Sequence, residues 1–327
     1  MFKIIKTPEN TKQIDEIRKK LTVTPLTNSP IPWTKVPQIK LFLESERTLR
    51  IPFAYAVNKA KIATKHDVAM RIQAIEVNAT KVNFEFSGNI RLRDYQEIAV
   101  YKTLHALKTT GGAIINQSTG SGKTITALAV IARLKKKALI LVHKQFLAEE
   151  FHKSIELCMP GTTVTFVQGQ HIDFSGDIVI AMLQTLTMGS REFPKDTFKP
   201  FSIVCVDETH HIAAPVLGRS IMNLGNILTL GLSATVTRPD GLKPEWLMGK
   251  ISYKYDNTST NKLQVFAIDY HDEKPIDFVF NVAGQINNPA MLNNLVLDMT
   301  RNQLIIDCLE NIYRKNEEDI EENPEGP

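Results

Sequence analysis

The run Gly120-Ser121-Gly122-Lys123-Thr124 has the composition of an anion cradle. Glycines let successive backbone N–H groups curl around a phosphate, and a helix starting at the end of the turn adds the positive end of its dipole. In such a loop the backbone of Thr119, Gly120, Ser121 and Gly122 wraps the phosphates. Lys123 reaches the β- and γ-phosphates, and the Thr124 hydroxyl takes a place on Mg²⁺. The full pattern has a glycine five residues before Gly122, where this chain has Gln117. The rival reading is a glycine-rich turn that happens to end in Lys-Thr. A strand before it and a helix after it weigh against that reading.

A second set is Val206-Asp207-Glu208-Thr209-His210. A carboxylate at a strand end facing a phosphate loop is suited to holding Mg²⁺, and Asp207 has that place. Glu208 beside it is suited to orienting and deprotonating an attacking water. Standing alone, Asp-Glu after a strand reads as a turn or a helix cap. With a phosphate loop upstream, transfer of a phosphoryl group to water is the better account.

Both sets follow apolar runs. Ala113-Ile114-Ile115 reads as a buried strand, and beyond Lys123 apolar residues recur at Ile125, Leu128, Ala129 and Ala132, a helical spacing. Ala138–Val142 reads as a strand, Leu147, Phe151 and Ile155 as a helix face. Val164–Val167, Asp177–Ala181, Ile203–Val206 and Ile227–Leu230 are further strands. Continuous apolar strands alternating with helices predict an α/β fold, a parallel sheet covered by helices on both faces. Ligands of such sheets bind beyond the carboxyl ends of the strands, where every motif here falls. Residues 1–88 differ in texture, with a helix from Thr11 to Leu21, prolines at 25, 30, 32 and 37, and a strand-like Val82–Phe86 before Ser87-Gly88. They predict a small α+β N-terminal accessory domain. Lys135-Lys136-Lys137 reads as a solvated helix end, where cations suit the dipole.

Taken together, the motifs resemble superfamily 2 helicases of the DExH type. The resemblance covers residues 89 to 242 with the motifs in order. Arg91-Leu92-Arg93-Asp94-Tyr95-Gln96 is similar to the leader motif whose glutamine, here Gln96, reads adenine; Tyr95 either stacks on the base or fills the core. Leu141–Leu147, with His143 and Lys144, and Met182–Leu186, with Gln184 and Thr185, resemble the two motifs that touch a nucleic-acid backbone. Asp207-Glu208-Thr209-His210 is the DExH box, in which His210 links ATP to the polymer. Ser233-Ala234-Thr235 matches the signature coupling hydrolysis to domain movement. Within the superfamily, these runs and Arg238–Leu242 most resemble the branch of large DNA viruses and phages. That branch is related to excision-repair helicases and includes viral transcript-release factors.

The resemblance implies a RecA-like ATP-binding domain over 89–255, with ATP and Mg²⁺ as ligands and a nucleic-acid partner, DNA ahead of RNA. It further implies a linker and the start of a second RecA-like domain over 256–327. The strand-like run Leu263–Ile268 and a helix from Ala290 to Arg314 fall there, and an acidic disordered tail closes it. The rest of a second motor domain is expected outside these residues, in a longer protein, a split gene or a second chain. Rival classes are a nucleic-acid-binding module that does not turn over ATP, and a P-loop enzyme such as a small-molecule kinase.

Composition is compatible with this. Of 327 residues 43% are apolar and 23% charged, enough for an ordinary core. The formal charge is +4, but six acids and no Lys or Arg lie past Asn316. Without those acids the balance is 39 basic against 29 acidic residues, a body suited to a phosphate polymer. Three scattered cysteines (Cys158, Cys205, Cys308), no signal-peptide pattern and no long apolar run predict an intracellular chain with free thiols.

Overall fold

The computed structural model describes residues 1–23, 38–187, 193–194, 196–209, 214–235, 243–256, 278–281, 284 and 286–322. The N-terminal part carries β1 (Phe2–Ile5), α1 (Thr11–Lys20), β2 (Thr22–Val23), β3 (Ile39–Lys40), β4 (Leu43–Glu44), β5 (Thr48–Ile51), α2 (Phe53–Asn58) and α3 (Lys65–Asn78). Its strands form an antiparallel sheet β1-β5-β4 and a short pair β2-β3.

The sites sit on a longer α/β succession: α4 (Asp94–Thr110), β6 (Gly112–Gln117), α5 (Lys123–Leu134), β7 (Ala138–Val142), α6 (Gln145–Cys158), β8 (Val164–Gln168), β9 (His171–Ile172), β10 (Ile178–Met182), α7 (Leu183–Thr187), β11 (Ile203–Val206), α8 (Ala214–Asn223), β12 (Leu228–Ser233), α9 (Glu245–Met248) and β13 (Ile251–Tyr255). Eight strands make one sheet in the order β13-β6-β12-β11-β7-β10-β8-β9, parallel throughout except where β9 folds back on β8. This is the RecA-like α/β architecture.

Alternation along each strand sorts the core into two layers, since successive side chains point to opposite faces. Ala113 and Ile115 of β6 and Ile140 and Val142 of β7 pack beneath α4, α5 and α6, with Val100, Leu128, Ile131 and Phe151. Ile114, Leu139 and Leu141 face the other way. They meet Ile14, Ile17, Leu49, Ile51 and Tyr55 of the N-terminal part together with Ile221 and Leu247. Each fully buried Leu or Ile contributes about 1.5–3 kcal/mol relative to exposure. The N-terminal elements are therefore a layer of this core, and residues 1–258 form one compact unit.

Three sequence expectations are corrected. Val82–Phe86 is not a strand: Lys81 makes an isolated bridge to Lys136 and Val82 N donates to Lys135 O, but no ladder continues. The alternating apolar side chains are real, with Phe84 buried and Val82 and Phe86 packed on the helical layer, yet the backbone has no neighbouring strand to pair with. Lys136 and Lys137 are not a solvated helix end. Both are buried: Lys136 reaches the Glu76 carbonyl at 3.0 Å and its carboxylate, and Lys137 donates to the Phe174 and Ser175 carbonyls at 2.6 and 3.1 Å. Burial holds the Lys137 ammonium below its usual range.

The third correction is in residues 259–327, a separate unit. The helix expected from Ala290 to Arg314 is two, α10 (Asn288–Leu297) and α11 (Met299–Glu322). Asp298 stands between them with extended backbone, and its carboxylate accepts from Arg301 N at 3.0 Å, so one residue ends a helix and caps the next. Because α11 runs to Glu322, the acidic stretch Asp319–Glu322 is helical where composition suggested disorder. The strand-like run Leu263–Ile268 and the prolines at 25, 30, 32 and 37 lie outside the described residues. Among the described residues no helix is long and apolar enough to cross a membrane.

Candidate nucleotide and nucleic-acid sites

The phosphate loop leaves β6 at Gln117 and enters α5 at Lys123. Gly120 and Gly122 carry φ of +76° and +79°, the left-handed region that an L side chain rarely adopts. At Gly122 a Cβ would also come within 2.6 Å of Gln96 Nε2, so that amide would have to shift. The Ser121 hydroxyl donates to Ser118 O at 2.7 Å, closing the turn on itself. Thr126 N and its hydroxyl both donate to Gly122 O, at 3.0 and 3.1 Å, anchoring the first helical turn.

Side chains from α4 hold this loop from below. Gln96 is buried; its Nε2 donates to the Ser121 and Gly122 carbonyls at 3.5 and 3.3 Å, and its Oε1 accepts from Arg93 N at 2.9 Å. The amide expected to read a base is thus committed to loop carbonyls here, and must release them to turn outward. Tyr95 contacts both the loop and the neighbouring strand. Its hydroxyl donates to Ser121 O at 2.7 Å and its ring stacks on Tyr255 of β13, with centroids 4.0 Å apart and planes within 5°.

Across the loop lies the turn after β11. Asp207 N donates to Leu141 O of β7 at 3.2 Å, and Thr209 N to Leu232 O of β12 at 3.1 Å. Glu208 between them has φ +47°, a conformation costing about 1–3 kcal/mol for a non-glycine residue. It persists because the backbone is pinned on both sides. The result aims Glu208 at the loop, where its Oε1 is 3.8 Å from Lys123 Nζ. Asp207 is only 7% exposed. Burial pushes its carboxyl up to about 6 and the Glu208 charge adds to that, while the Glu208 backbone amide and Lys123 pull it down.

These donors fit a divalent cation. A buried carboxyl held above its ordinary value by desolvation and a like charge gains ionisation energy when a cation arrives. Among the described residues no cluster of three or more His, Cys, Asp or Glu stands ready as a closed cage. Mg²⁺ is bound by one or two carboxylates with phosphate oxygens and waters completing its shell, so a single buried carboxylate beside a phosphate loop suits it. Asp207 and Thr124 are the residues that would hold it.

The remaining expected residues divide. His143 and Lys144 form the loop after β7, and Gln184 Nε2 donates to His143 O at 2.7 Å, joining that loop to the one after β10. Thr185 is buried, and its hydroxyl accepts from Gly169 N at 2.9 Å, so it braces the edge instead of facing outward. Ser233 ends β12 fully buried, while Ala234 and Thr235 emerge toward the surface. His210 lies outside the described residues.

Asn116 escaped the sequence reading, and Gln117 was read there only as the missing glycine. Asn116 is buried, and its Nδ2 donates to the carbonyls of Ser233 and Ala234 at 3.1 and 3.0 Å, tying the strand that feeds the phosphate loop to the Ser-Ala-Thr run. Gln117 is fully buried, and its amide has no hydrogen-bond partner among the described residues. The available signal was two amides ending an otherwise apolar strand.

Comparison with known proteins agrees with this geometry. Residues 89–238 match the family described as Type III restriction enzyme, res subunit. A protein of Acanthamoeba polyphaga mimivirus, named as a candidate ATP-dependent RNA helicase, is 23% identical over 92% of this chain and 57% of its own length. One of African swine fever virus, named likewise, is 25% identical over 77% of this chain and 49% of its own. The chain spans about half the length of these curated relatives. The crystal structure of the UvsW helicase from bacteriophage T4 shares the fold at TM-score 0.50 and 18% identity, covering 75% of this chain and 93% of that one. In sequence the chain is thus similar to the N-terminal, helicase-like part of these viral proteins, and in fold to the phage helicase.

Proposed function

We propose that residues 89–255 bind ATP with Mg²⁺, hydrolyse the γ-phosphate and couple that step to nucleic acid. Residues 1–88 form the accessory part, and 256–327 lead into a second motor domain. The observation carrying the reading is the meeting of Lys123 and Glu208 at 3.8 Å beside a buried Asp207. Lys123 holds the β- and γ-phosphates, a charge-assisted contact. Glu208 orients the attacking water and takes its proton as the bond to phosphorus forms. Asp207 and Thr124 would hold Mg²⁺, which would supply charge neutralisation at the phosphate oxygens. Release of Gln96 from the loop carbonyls frees its amide for adenine.

The Asn116 link suggests how loop and polymer are coupled. A shift of the phosphate loop moves β6, and the Asn116 amide passes it to Ser233 and Ala234. His143, Lys144 and Gln184 grip the polymer backbone, and His210 connects the two sites. We infer DNA as the preferred polymer, although the mimivirus and swine fever virus relatives are named for RNA. The test is ATP affinity by calorimetry together with ATPase rate on single-stranded DNA, duplex DNA and RNA. Lys123→Ala is expected to lose at least about 1.5–3 kcal/mol of nucleotide affinity, the worth of a hydrogen bond to a charged group. Unchanged affinity overturns the nucleotide site; an ATPase rate indifferent to every polymer overturns the coupling.

A further inference from the structure

Phe146 lies on the rim of the surface that the proposed function gives to nucleic acid, and nothing in that reading uses it. It is the second residue of α6, 52% exposed. Helical spacing explains the exposure. Ala148, Phe151, Ile155 and the half-buried Leu147 form the core stripe, and Phe146 falls just off it. An exposed phenylalanine is ordinary by itself. This one has company: Lys144 Nζ stands 5.7 Å from the ring centroid, within cation–π reach, and is also exposed.

The surroundings limit what can approach. Gln145, between the ring and the lysine, is held from two sides, accepting from Gln168 Nε2 and donating to Glu149, both at 3.3 Å. Glu149 and Glu150, three and four residues past Phe146, share its side of the helix and are exposed. Their charges repel phosphate from the flank of α6. A polyanion is thereby confined to the start of the helix, where Lys144 and the opening backbone amides attract it.

We propose that Phe146 is a base-stacking residue: it stacks a nucleobase of a single strand whose adjoining phosphate is held by Lys144. The class of polymer taken here is therefore unpaired nucleic acid. The inference rests on the nucleic-acid reading above and adds which form of polymer the site prefers. A ring can stack only on a base whose face is open. Inside a duplex both faces of each base are covered and only the end pairs keep an open face, so Phe146 contributes chiefly to single strands. Stacking is indifferent to base identity because every base has a π-face.

The experiment measures binding of the 327-residue chain to three labelled DNA probes by fluorescence anisotropy. They are a single strand of mixed sequence, an abasic strand of equal length and a blunt duplex. Phe146→Ala is expected to weaken single-strand binding by about 5–150-fold, the range for one stacked base. It should leave the abasic strand and the duplex within about twofold, since those keep only their phosphate contacts. Phe146→Trp should restore the single-strand value. Equal loss on all three probes, or none on any, overturns the stacking role while leaving the nucleic-acid reading standing. Wild-type protein that binds none of the probes overturns both.

Discussion

The clearest quantitative consequence of the site concerns Asp207 in the absence of metal. Its carboxyl is 7% exposed and pushed from 3.8 to about 6, chiefly by burial and then by Glu208. In the unfolded chain the group returns to about 3.9. The folded state therefore binds the proton more tightly. The associated stability is fully present below about pH 4 and is lost as pH rises through about 6. Roughly two units at about 1.36 kcal/mol each give about 3 kcal/mol. Asp207→Asn has no charge to desolvate and should escape the loss. The assay is chemical denaturation in EDTA from pH 4.5 to 8. The variant should gain on the wild type with rising pH, from a small difference at pH 4.5 to about 3 kcal/mol above pH 7. Magnesium with nucleotide should reverse the order, stabilising the wild type more. A difference independent of pH, or a variant less stable at pH 8, refutes the reasoning that desolvation dominates at this residue.

Other outcomes rest on neighbouring geometry. Glu208→Gln should retain nucleotide binding while hydrolysis falls by roughly 10²–10⁴, the usual share of a general base; a wild-type rate means that another group takes the proton. Lys144→Ala should lower the slope of log affinity against log salt by about one, the signature of a lost phosphate contact. A slope equal to wild type removes Lys144 from the polymer surface. Gln117→Leu should raise stability by about 1–3 kcal/mol, because it removes a buried amide without a partner. Destabilisation in a denaturant titration would place a partner on that amide.

The sheet that positions the sites was legible because each central strand is built on a short apolar run and helices follow between them. β6, β7, β10, β11 and β12 need no knowledge of their partners to be seen. The β1-β5-β4 sheet was not legible, since β1 finds its partner only in a strand more than forty residues away, pairing Phe2–Ile5 with Thr48–Ile51. Val82–Phe86 shows the reverse error: alternation records which side chains are buried, and an irregular segment lying on a core buries alternate residues too. At the site, residue types announced the loop and the acidic pair. The bonds that Gln96, Tyr95 and Asn116 donate were hidden because each acceptor is a backbone carbonyl, which carries no residue type.

The edge strand β13 has a mechanical consequence. It is the last strand of the first unit, and its final residue is fastened to the phosphate loop twice. Ser118 N donates to Tyr255 O at 3.2 Å, and the Tyr255 ring lies flat on Tyr95. Tension applied downstream of Tyr255 arrives first at the opening amide of the loop and at the ring whose hydroxyl holds Ser121. The strand is thus a drawstring, and its anchorage makes the loop the first element of the sheet to feel a pull along the chain.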